Sequence, residues 1–145
     1  MKRYICGLVL MAAVGGMVLA DDKSDADVKK LEGEWKVEEY EIMGKKIAAP
    51  KERAGSIVFA KDMKVTMKDP NKKDEPGTYK IDAGKTPKQL DLIEGEGKKQ
   101  TVEAIYEIDG DKLKLGFDTK GPKGKRPTGF DAKETVIMHL KRQKS

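Results

Sequence analysis

The stretch of this sequence with the most chemical potential is KGPKGKRPTGF, which gathers basic side chains between glycines. It contains Lys120, Lys123, Lys125 and Arg126. A guanidinium such as that of Arg126 can hold a carboxylate, sulfate or phosphate through two parallel hydrogen bonds. The stretch therefore indicates either a loop that recognises an anionic group or a charged loop that keeps the surface solvated. Charge runs between strands usually serve solubility, so we favour the second interpretation.

Residues that could carry out catalysis are few and isolated. His139 is the only histidine, and its alternation with Met138 and Leu140 places it on the opposite face of a strand. A lone histidine has no partners with which to complete a metal site. Ser56, in AGSIV, does not resemble a nucleophile elbow. We therefore predict no metal, no cofactor and no enzymatic activity. The remaining catalytic alternative is carboxylate chemistry, which requires two acids that converge on one cavity.

The N-terminal residues 1–20, MKRYICGLVLMAAVGGMVLA, have the layout of a secretory signal peptide. Lys2 and Arg3 precede an apolar run, and Val18 and Ala20 stand at the positions that precede a cleavage site. Cys6 lies inside that run, so a mature chain would contain no cysteine and no disulfide. We expect a secreted or periplasmic protein, without stable membrane insertion after cleavage. The polar residues 21–27 are predicted to be flexible, and a single domain is predicted over residues 28–142.

The charge pattern argues against nucleic acid as a partner. The chain has 30 basic and 25 acidic residues, and the two signs are interspersed along it. Nucleic-acid-binding proteins instead cluster their basic residues on one face. Aromatic residues make up 6% of the chain, too few for a platform on which bases stack.

The elements that would position these residues are mostly strands. SDADVKKLEG predicts a short helix capped by Ser24 and ended by Gly33. About eight segments then alternate apolar and polar residues between turn signals, which predicts an antiparallel barrel or sandwich. In the first of them, the change of face between Val37 and Tyr40 predicts a bulge or a strong bend. GKKI is predicted to be a turn, TGF at most a short strand, and Asp109–Asp111 a hairpin turn. The strand segments are EWKVEEYEIM, SIVFA, KVTMK, GTYKID, QLDLIE, TVEAIYEID, KLKLGFD and TVIMHLKR.

LEGEWKV contains the only tryptophan, Trp35, at the start of the first strand. Gly-x-Trp after a short N-terminal helix resembles the lipocalin signature. That resemblance implies an up-and-down barrel whose tryptophan plugs the closed end, beneath a basic side chain that leaves the last strand. Arg142 is the expected basic residue, with Lys141 as the other choice. The alternative is that Trp35 stacks directly on a ligand.

A longer set of blocks resembles an uncharacterised family of exported planctomycete proteins with a lipocalin-like domain. These blocks are LEGEWKVEEYEIMGKKI, GTYKID…PKQLDL, IYEIDGDKLKLGF and KRPTGF, and they span nearly all of the mature chain. The resemblance implies an all-β, small antiparallel lipocalin-like barrel of about eight strands with a short N-terminal helix. It implies no established activity and no catalytic residues.

The functional hypothesis is a binding module for a small apolar or amphipathic molecule. Arg126 and Lys125 would lie near the rim of the barrel, and Met63 and Met67 would give a pliable lining. The alternative is a non-catalytic structural or protein-interaction domain of the cell envelope with a filled barrel. The sequence identifies no protein partner.

Overall fold

A computed structural model describes residues 23–52, 54–95, 100–131 and 134–144. The predicted signal peptide, residues 1–20, lies outside the described residues. Helix α1 comprises residues 23–31, so it begins within the segment that the sequence predicted to be flexible. Asp27 on this helix is buried, and the Ser24 hydroxyl accepts a hydrogen bond from the backbone N–H of Ala83 at 3.3 Å.

Nine antiparallel strands follow in the described part of the chain, and eight of them close a barrel. Neighbouring strands pair in the order β2-β1-β3-β4-β5-β6-β7-β8-β9, and β9 also pairs with β1. The prediction of an up-and-down barrel with one short N-terminal helix is therefore confirmed. The strands are β1 (Gly33–Ile42), β2 (Lys45–Ala48), β3 (Ser56–Ala60), β4 (Lys64–Lys68), β5 (Glu75–Asp82), β6 (Lys88–Glu94), β7 (Gln100–Asp109), β8 (Lys112–Asp118) and β9 (Thr135–Arg142).

Strand β2 was not predicted. The sequence indicated that GKKI is only a turn, whereas the turn is confined to Met43 and Gly44, and Lys45–Ala48 pairs with the second half of β1. All four residues of β2 are exposed, so this edge strand has no buried face and no alternating pattern by which to recognise it. The TGF segment, Thr128–Phe130, forms bends and a turn rather than a strand.

The predicted bulge in β1 is confirmed, and it explains the change of face. The register with β9 shifts between Val37 and Glu39. One extra residue rotates the following side chains by one position, so Tyr40 returns to the inward face that Trp35 and Val37 occupy. Tyr40 accordingly packs against the barrel core.

The core fills the end of the barrel that carries α1, which we call the closed end. The largest fully buried side chains of this core are Trp35, Tyr79, Tyr106, Phe59, Leu31, Leu90, Leu113, Leu115 and Leu140. The turns β3–β4, β5–β6 and β7–β8 lie at this end. The opposite end, where β4–β5, β6–β7 and β8–β9 connect, is the open end.

A second apolar cluster lies on the outer surface of the barrel. Ile105 and Ile137 alternate outward with the polar residues of their strands, yet both are buried. A Cβ atom added at Gly116 would lie 3.0 Å from Cγ1 of Ile105 and 3.2 Å from Cδ1 of Phe130. The β8–β9 connection thus folds back so that Phe130 covers this outer patch, and only glycine leaves room for that ring at position 116.

Candidate functional site

A cavity of about 390 Å³ occupies the open end of the barrel. Its wall consists of inward-facing residues from the open-end halves of the strands, beyond the closely packed core. The apolar residues of this wall are mostly aliphatic, whereas the closed end is filled by the aromatic rings of Trp35, Phe59, Tyr79 and Tyr106. The apolar part of the wall includes Val37, Ile57, Met67, Leu92, Val102, Ala104, Phe117 and Met138.

The path of β1 widens this end of the barrel. β1 pairs with β3 only from Gly33 to Lys36, and beyond the bulge its neighbour on that side is β2. A single backbone hydrogen bond from Val37 to the carbonyl oxygen of Gly55, 3.0 Å long, continues the contact toward β3. β1 and β3 therefore separate at the open end, whereas they remain paired next to Trp35 at the closed end.

Polar side chains surround the mouth of the cavity. Tyr40, Lys68, Asp69 and Glu94 all contribute to the lining there. Burial, together with the negative charge of Asp69, raises the pKa of the Tyr40 hydroxyl. Tyr40 therefore stays protonated at neutral pH and offers an O–H donor to a molecule in the cavity. The site thus combines an apolar interior with hydrogen-bonding and charged groups at one end.

The β8–β9 connection reaches over the mouth. Its 3₁₀ turn, Gly121–Lys123, places Gly121 and Pro122 in the wall of the cavity. The basic residues of the same connection, Lys120, Lys123, Lys125 and Arg126, line a separate surface groove with Glu134. The KGPKGKRPTGF loop therefore contributes Gly121 and Pro122 to the cavity wall, whereas its lysine side chains are exposed to solvent.

Arg126 does not lie at the rim as a free anion receptor. Its Nη1 donates to the carbonyl oxygen of Ala104 at 2.8 Å, and its Nη2 donates to Oδ1 of Asp91 at 2.6 Å. Asp91 alternates outward on β6, so this pair lies on the outer surface and fixes the loop to β6 and β7. Lys125 is exposed. The sequence could not reveal this arrangement, because it did not show the path of the loop.

Replacing Arg126 with alanine should loosen the β8–β9 connection. Hydrogen bonds to charged groups contribute about 1.5–3 kcal/mol, so we expect the free energy of unfolding to fall by about 1–2 kcal/mol after allowing for partial exposure. Amide hydrogen exchange of residues 119–131 should accelerate. Lys125→Ala is the matched control and should change neither quantity. If Arg126→Ala left both unchanged and abolished binding of an anion, Arg126 would be a receptor rather than an anchor.

The two predicted lining methionines occupy opposite ends of the barrel. Met67 lines the cavity, in agreement with its inward alternation on β4. Met63 lies in the turn between β3 and β4, has a backbone φ of 59°, and is 37% exposed at the closed end. It does not line the cavity, because the turn begins before the inward alternation of β4 is established.

Trp35 lies at the closed end, fully buried between α1 and the barrel. Its Nε1 donates to the carbonyl oxygen of Leu31 at 2.8 Å, and the guanidinium of Arg142 lies 4.3 Å from its ring centroid. Arg142 also donates to the carbonyl oxygens of Lys30 and Glu32 at the end of α1. Gly33 permits this approach: its φ is +126°, and a Cβ there would lie 3.0 Å from the guanidinium. Lys141 is exposed.

A buried polar cluster joins α1 to the barrel. The Asp27 carboxylate accepts hydrogen bonds from the Tyr106 hydroxyl and the Lys88 ammonium group, both at 2.8 Å. Burial and the adjacent carboxylate raise the pKa of Tyr106, so the phenol remains a donor. The sequence offered no sign of this cluster, because its members are 61 and 79 residues apart.

His139 lies outside the cavity, as its alternation predicted, with its Nε2 3.4 Å from Oε2 of Glu41. In the described ranges, no group of three or more histidine, cysteine, aspartate or glutamate side chains is arranged to hold a metal ion. Tyr40, Asp69 and Glu94 were missed as site residues. Extending the inward alternation of Leu90 and Leu92 by two residues identifies Glu94 as a residue that faces the interior of the barrel.

The chain was also compared with known proteins. A scan against family models matches residues 31–115 to a lipocalin-like domain. The matched region extends from the end of α1 into β8 and includes Trp35 and most of the cavity wall. No curated protein and no solved structure matches the chain. Within the described residues, no helix is long and apolar enough to span a membrane.

Proposed function

We propose, from the premise that the chain belongs to the family of lipocalin-like domains, that it binds a small apolar or amphipathic molecule at the open end of its barrel. The cavity of about 390 Å³ carries this proposal. Ligand sites typically enclose about 300–1,000 Å³, with a mainly apolar wall and a few polar groups that set orientation. A molecule with an apolar body and one polar end fits both parts of this wall.

The described contacts support a non-catalytic role for this site. Tyr40, Lys68, Asp69 and Glu94 are the phenolic and charged groups of the cavity wall, and His139 lies on the outer surface. Ser56 also contributes to the wall, but its hydroxyl donates to Oε1 of Glu34 at 2.9 Å from outward-alternating positions of β3 and β1. Binding and release therefore account for the groups that are present.

We also propose that the protein is exported to the periplasm or to the exterior of the cell. The charged start, apolar run and small residues of segment 1–20 support this placement. Sequencing the N-terminus of the protein isolated from its own cell tests it, with residue 21 expected first. An intact residue 1 would oppose cleavage.

Filling the cavity tests the binding proposal directly. Val102→Phe adds a ring at the inward face of β7, within the cavity wall, and should reduce the affinity for 1-decanol by about tenfold or more because the space is then occupied. The affinity is measured by isothermal titration calorimetry below the solubility limit of the alcohol. A small change in unfolding free energy, about 1–3 kcal/mol, is acceptable for an overpacked site.

Val58→Phe is the matched control for this experiment. Val58 lies between Ile57 and Phe59 on β3 and alternates outward, so the same substitution adds the same ring outside the barrel. This variant should bind 1-decanol like the original protein. Equal affinity of both variants, or no binding by the unsubstituted protein, would oppose a ligand site in the cavity.

The second candidate function is a structural or protein-interaction domain of the cell envelope. The β1–β2 hairpin favours it, because Met43 is 77% exposed, Ile47 is 53% exposed and β2 is an edge strand. Affinity purification from envelope extracts separates the two functions. A stable protein partner that is lost in Met43→Ser would favour the interaction role, whereas co-purifying lipid would favour the cavity.

A further inference from the structure

Two carboxylates at the mouth of the cavity continue the inward faces of their strands. On β4, Val65 and Met67 alternate inward, and Asp69 is the next residue of that series. On β6, Leu92 alternates inward, and Glu94 follows it by two residues. Asp69 and Glu94 both contribute to the cavity wall, so the entrance to the apolar space carries two negative charges on its inner side.

Neither carboxylate is neutralised within the part of the chain that the structure describes. No lysine, arginine or histidine nitrogen there lies within 4.0 Å of Asp69 or Glu94. Asp69 accepts one hydrogen bond, from the backbone N–H of Asn71 at 2.9 Å, which leaves most of its acceptor capacity free. The two groups can therefore direct their charge at an incoming molecule.

Lys68 is the described cation that contributes to the cavity wall, although it is exposed and stands at the outward-alternating position between Met67 and Asp69. Lys72 and Lys73 line a neighbouring surface groove together with Glu94. Arg126 is paired with Asp91 on the outer surface. The lysines of the β8–β9 connection line a separate groove. Asp69 lies near Tyr40 in the cavity wall, and burial together with the charge of Asp69 raises the pKa of the Tyr40 hydroxyl.

The position of these two carboxylates decides which polar group on a ligand binds favourably at the mouth. A carboxylate-headed molecule with its apolar part in the cavity would bring a third negative charge beside Asp69 and Glu94, in surroundings less polar than water. An ammonium group at the same place would be attracted by both. Tyr40 can still donate a hydrogen bond to any oxygen near that end of the ligand.

We infer that the cavity prefers amphipathic molecules whose polar end is a positively charged amine over those that end in a carboxylate. This inference rests on the proposed binding function, and the ligand charge is opposite to that of the anionic group considered for the basic loop. The apolar part of the amine fills the cavity, and its ammonium group lies between the two carboxylates at the mouth.

Three probes of equal chain length test the preference: decylamine, 1-decanol and decanoate, each titrated at pH 7 below its critical micelle concentration. We expect decylamine to bind about tenfold more tightly than decanol, because each of two partly exposed charge pairs contributes a modest attraction. Decanoate should bind more weakly than decanol.

The isosteric double variant Asp69→Asn/Glu94→Gln identifies the groups responsible. The ratio of its decylamine affinity to its own decanol affinity should fall most of the way to one. The control Asp62→Asn/Glu107→Gln makes the same change of charge outside the cavity and should retain the preference. Asp62 lies in the β3–β4 turn with a φ of 63°, which asparagine also adopts readily.

The outcomes separate this inference from the function on which it rests. If the three probes bind equally, or decanoate binds best, the amine preference is overturned while the binding function stands. If none of them binds, both are overturned. A preference for decylamine that survives in Asp69→Asn/Glu94→Gln would overturn the assignment of the two carboxylates.

Discussion

Trp35→Ala is expected to lower the free energy of unfolding by about 3–5 kcal/mol, the usual range when a large aromatic side chain is removed from a core. The indole is fully buried and donates a 2.8 Å hydrogen bond to Leu31, and its ring supports the guanidinium of Arg142. Its loss leaves an empty volume between α1 and the barrel. Arg142 then loses the face on which it rests while it still contacts the end of the helix.

The measurement is urea denaturation followed by circular dichroism, since the variant has no tryptophan to report fluorescence. Trp35→Phe is the graded control: it keeps an aromatic ring, loses the N–H donor and should lose less stability than the alanine variant. It also provides a folded protein if Trp35→Ala does not fold. Because Trp35 does not line the cavity, the affinity of folded protein for 1-decanol should stay the same. Lost affinity at normal stability would place Trp35 in the ligand site.

Asp27→Ala is expected to lower the free energy of unfolding by about 2–3 kcal/mol, because it leaves a buried hydroxyl without its acceptor and removes a charged hydrogen bond. Tyr106 is almost completely buried, so water cannot replace the lost carboxylate. Lys88 is partly exposed and can be rehydrated, which limits the loss. The helix would then be held mainly by Leu31 and by the contacts of Arg142.

Asp25→Ala is the matched control on the same helix, since Asp25 is exposed; the change should stay within about 0.5 kcal/mol. A double-mutant cycle with Tyr106→Phe isolates the contact, and the two losses should be less than additive. Strict additivity would show that the carboxylate and the phenol stabilise the fold independently, contrary to the hydrogen bond described.

The contribution of Asp27 should also depend on pH. Burial by itself would raise its pKa, but the hydrogen bonds from Lys88 and Tyr106, with the charges of Lys88 and Lys30, together lower it below the ordinary value of 3.8. A carboxyl with a lowered pKa in the folded state stabilises the protein fully above its unfolded pKa. The difference in stability between the original protein and Asp27→Asn should therefore be constant at pH 5–7 and shrink as the pH falls below about 4.

Most of the fold could be predicted because each barrel strand has one buried face. The alternation in KVTMK, KLKLGFD and TVIMHLKR gave the bounds of β4, β8 and β9 as the structure has them. The change of face after Val37 revealed the bulge. β2 was missed because an edge strand with four exposed residues has no buried face. The burial of Ile105 and Ile137 could not be predicted because a loop covers them. The alternation of a strand indicates which side of the sheet a residue faces, but not whether another segment covers that side.

The candidate site was less predictable, because it depends on contacts between distant segments. Met67 could be assigned from its strand, whereas the position of Arg126 depends on how the β8–β9 connection crosses β6 and β7. A basic loop indicates an available charge only if no acid lies opposite. Asp91 is 35 residues away in sequence and occupies that place.

The pairing of β1 with β9 has a consequence for how the chain folds. The contacts that close the barrel join residues about a hundred positions apart, as the pairing of Trp35 with Arg142 illustrates. Such a topology has a high contact order, so closure pays the loop entropy of nearly the whole domain before it gains its contacts. A growing chain would present the unpaired edges of β1 and β8 until Thr135–Arg142 has emerged. The final strand therefore converts an open, association-prone sheet into a barrel and secures the N-terminal helix in the same step.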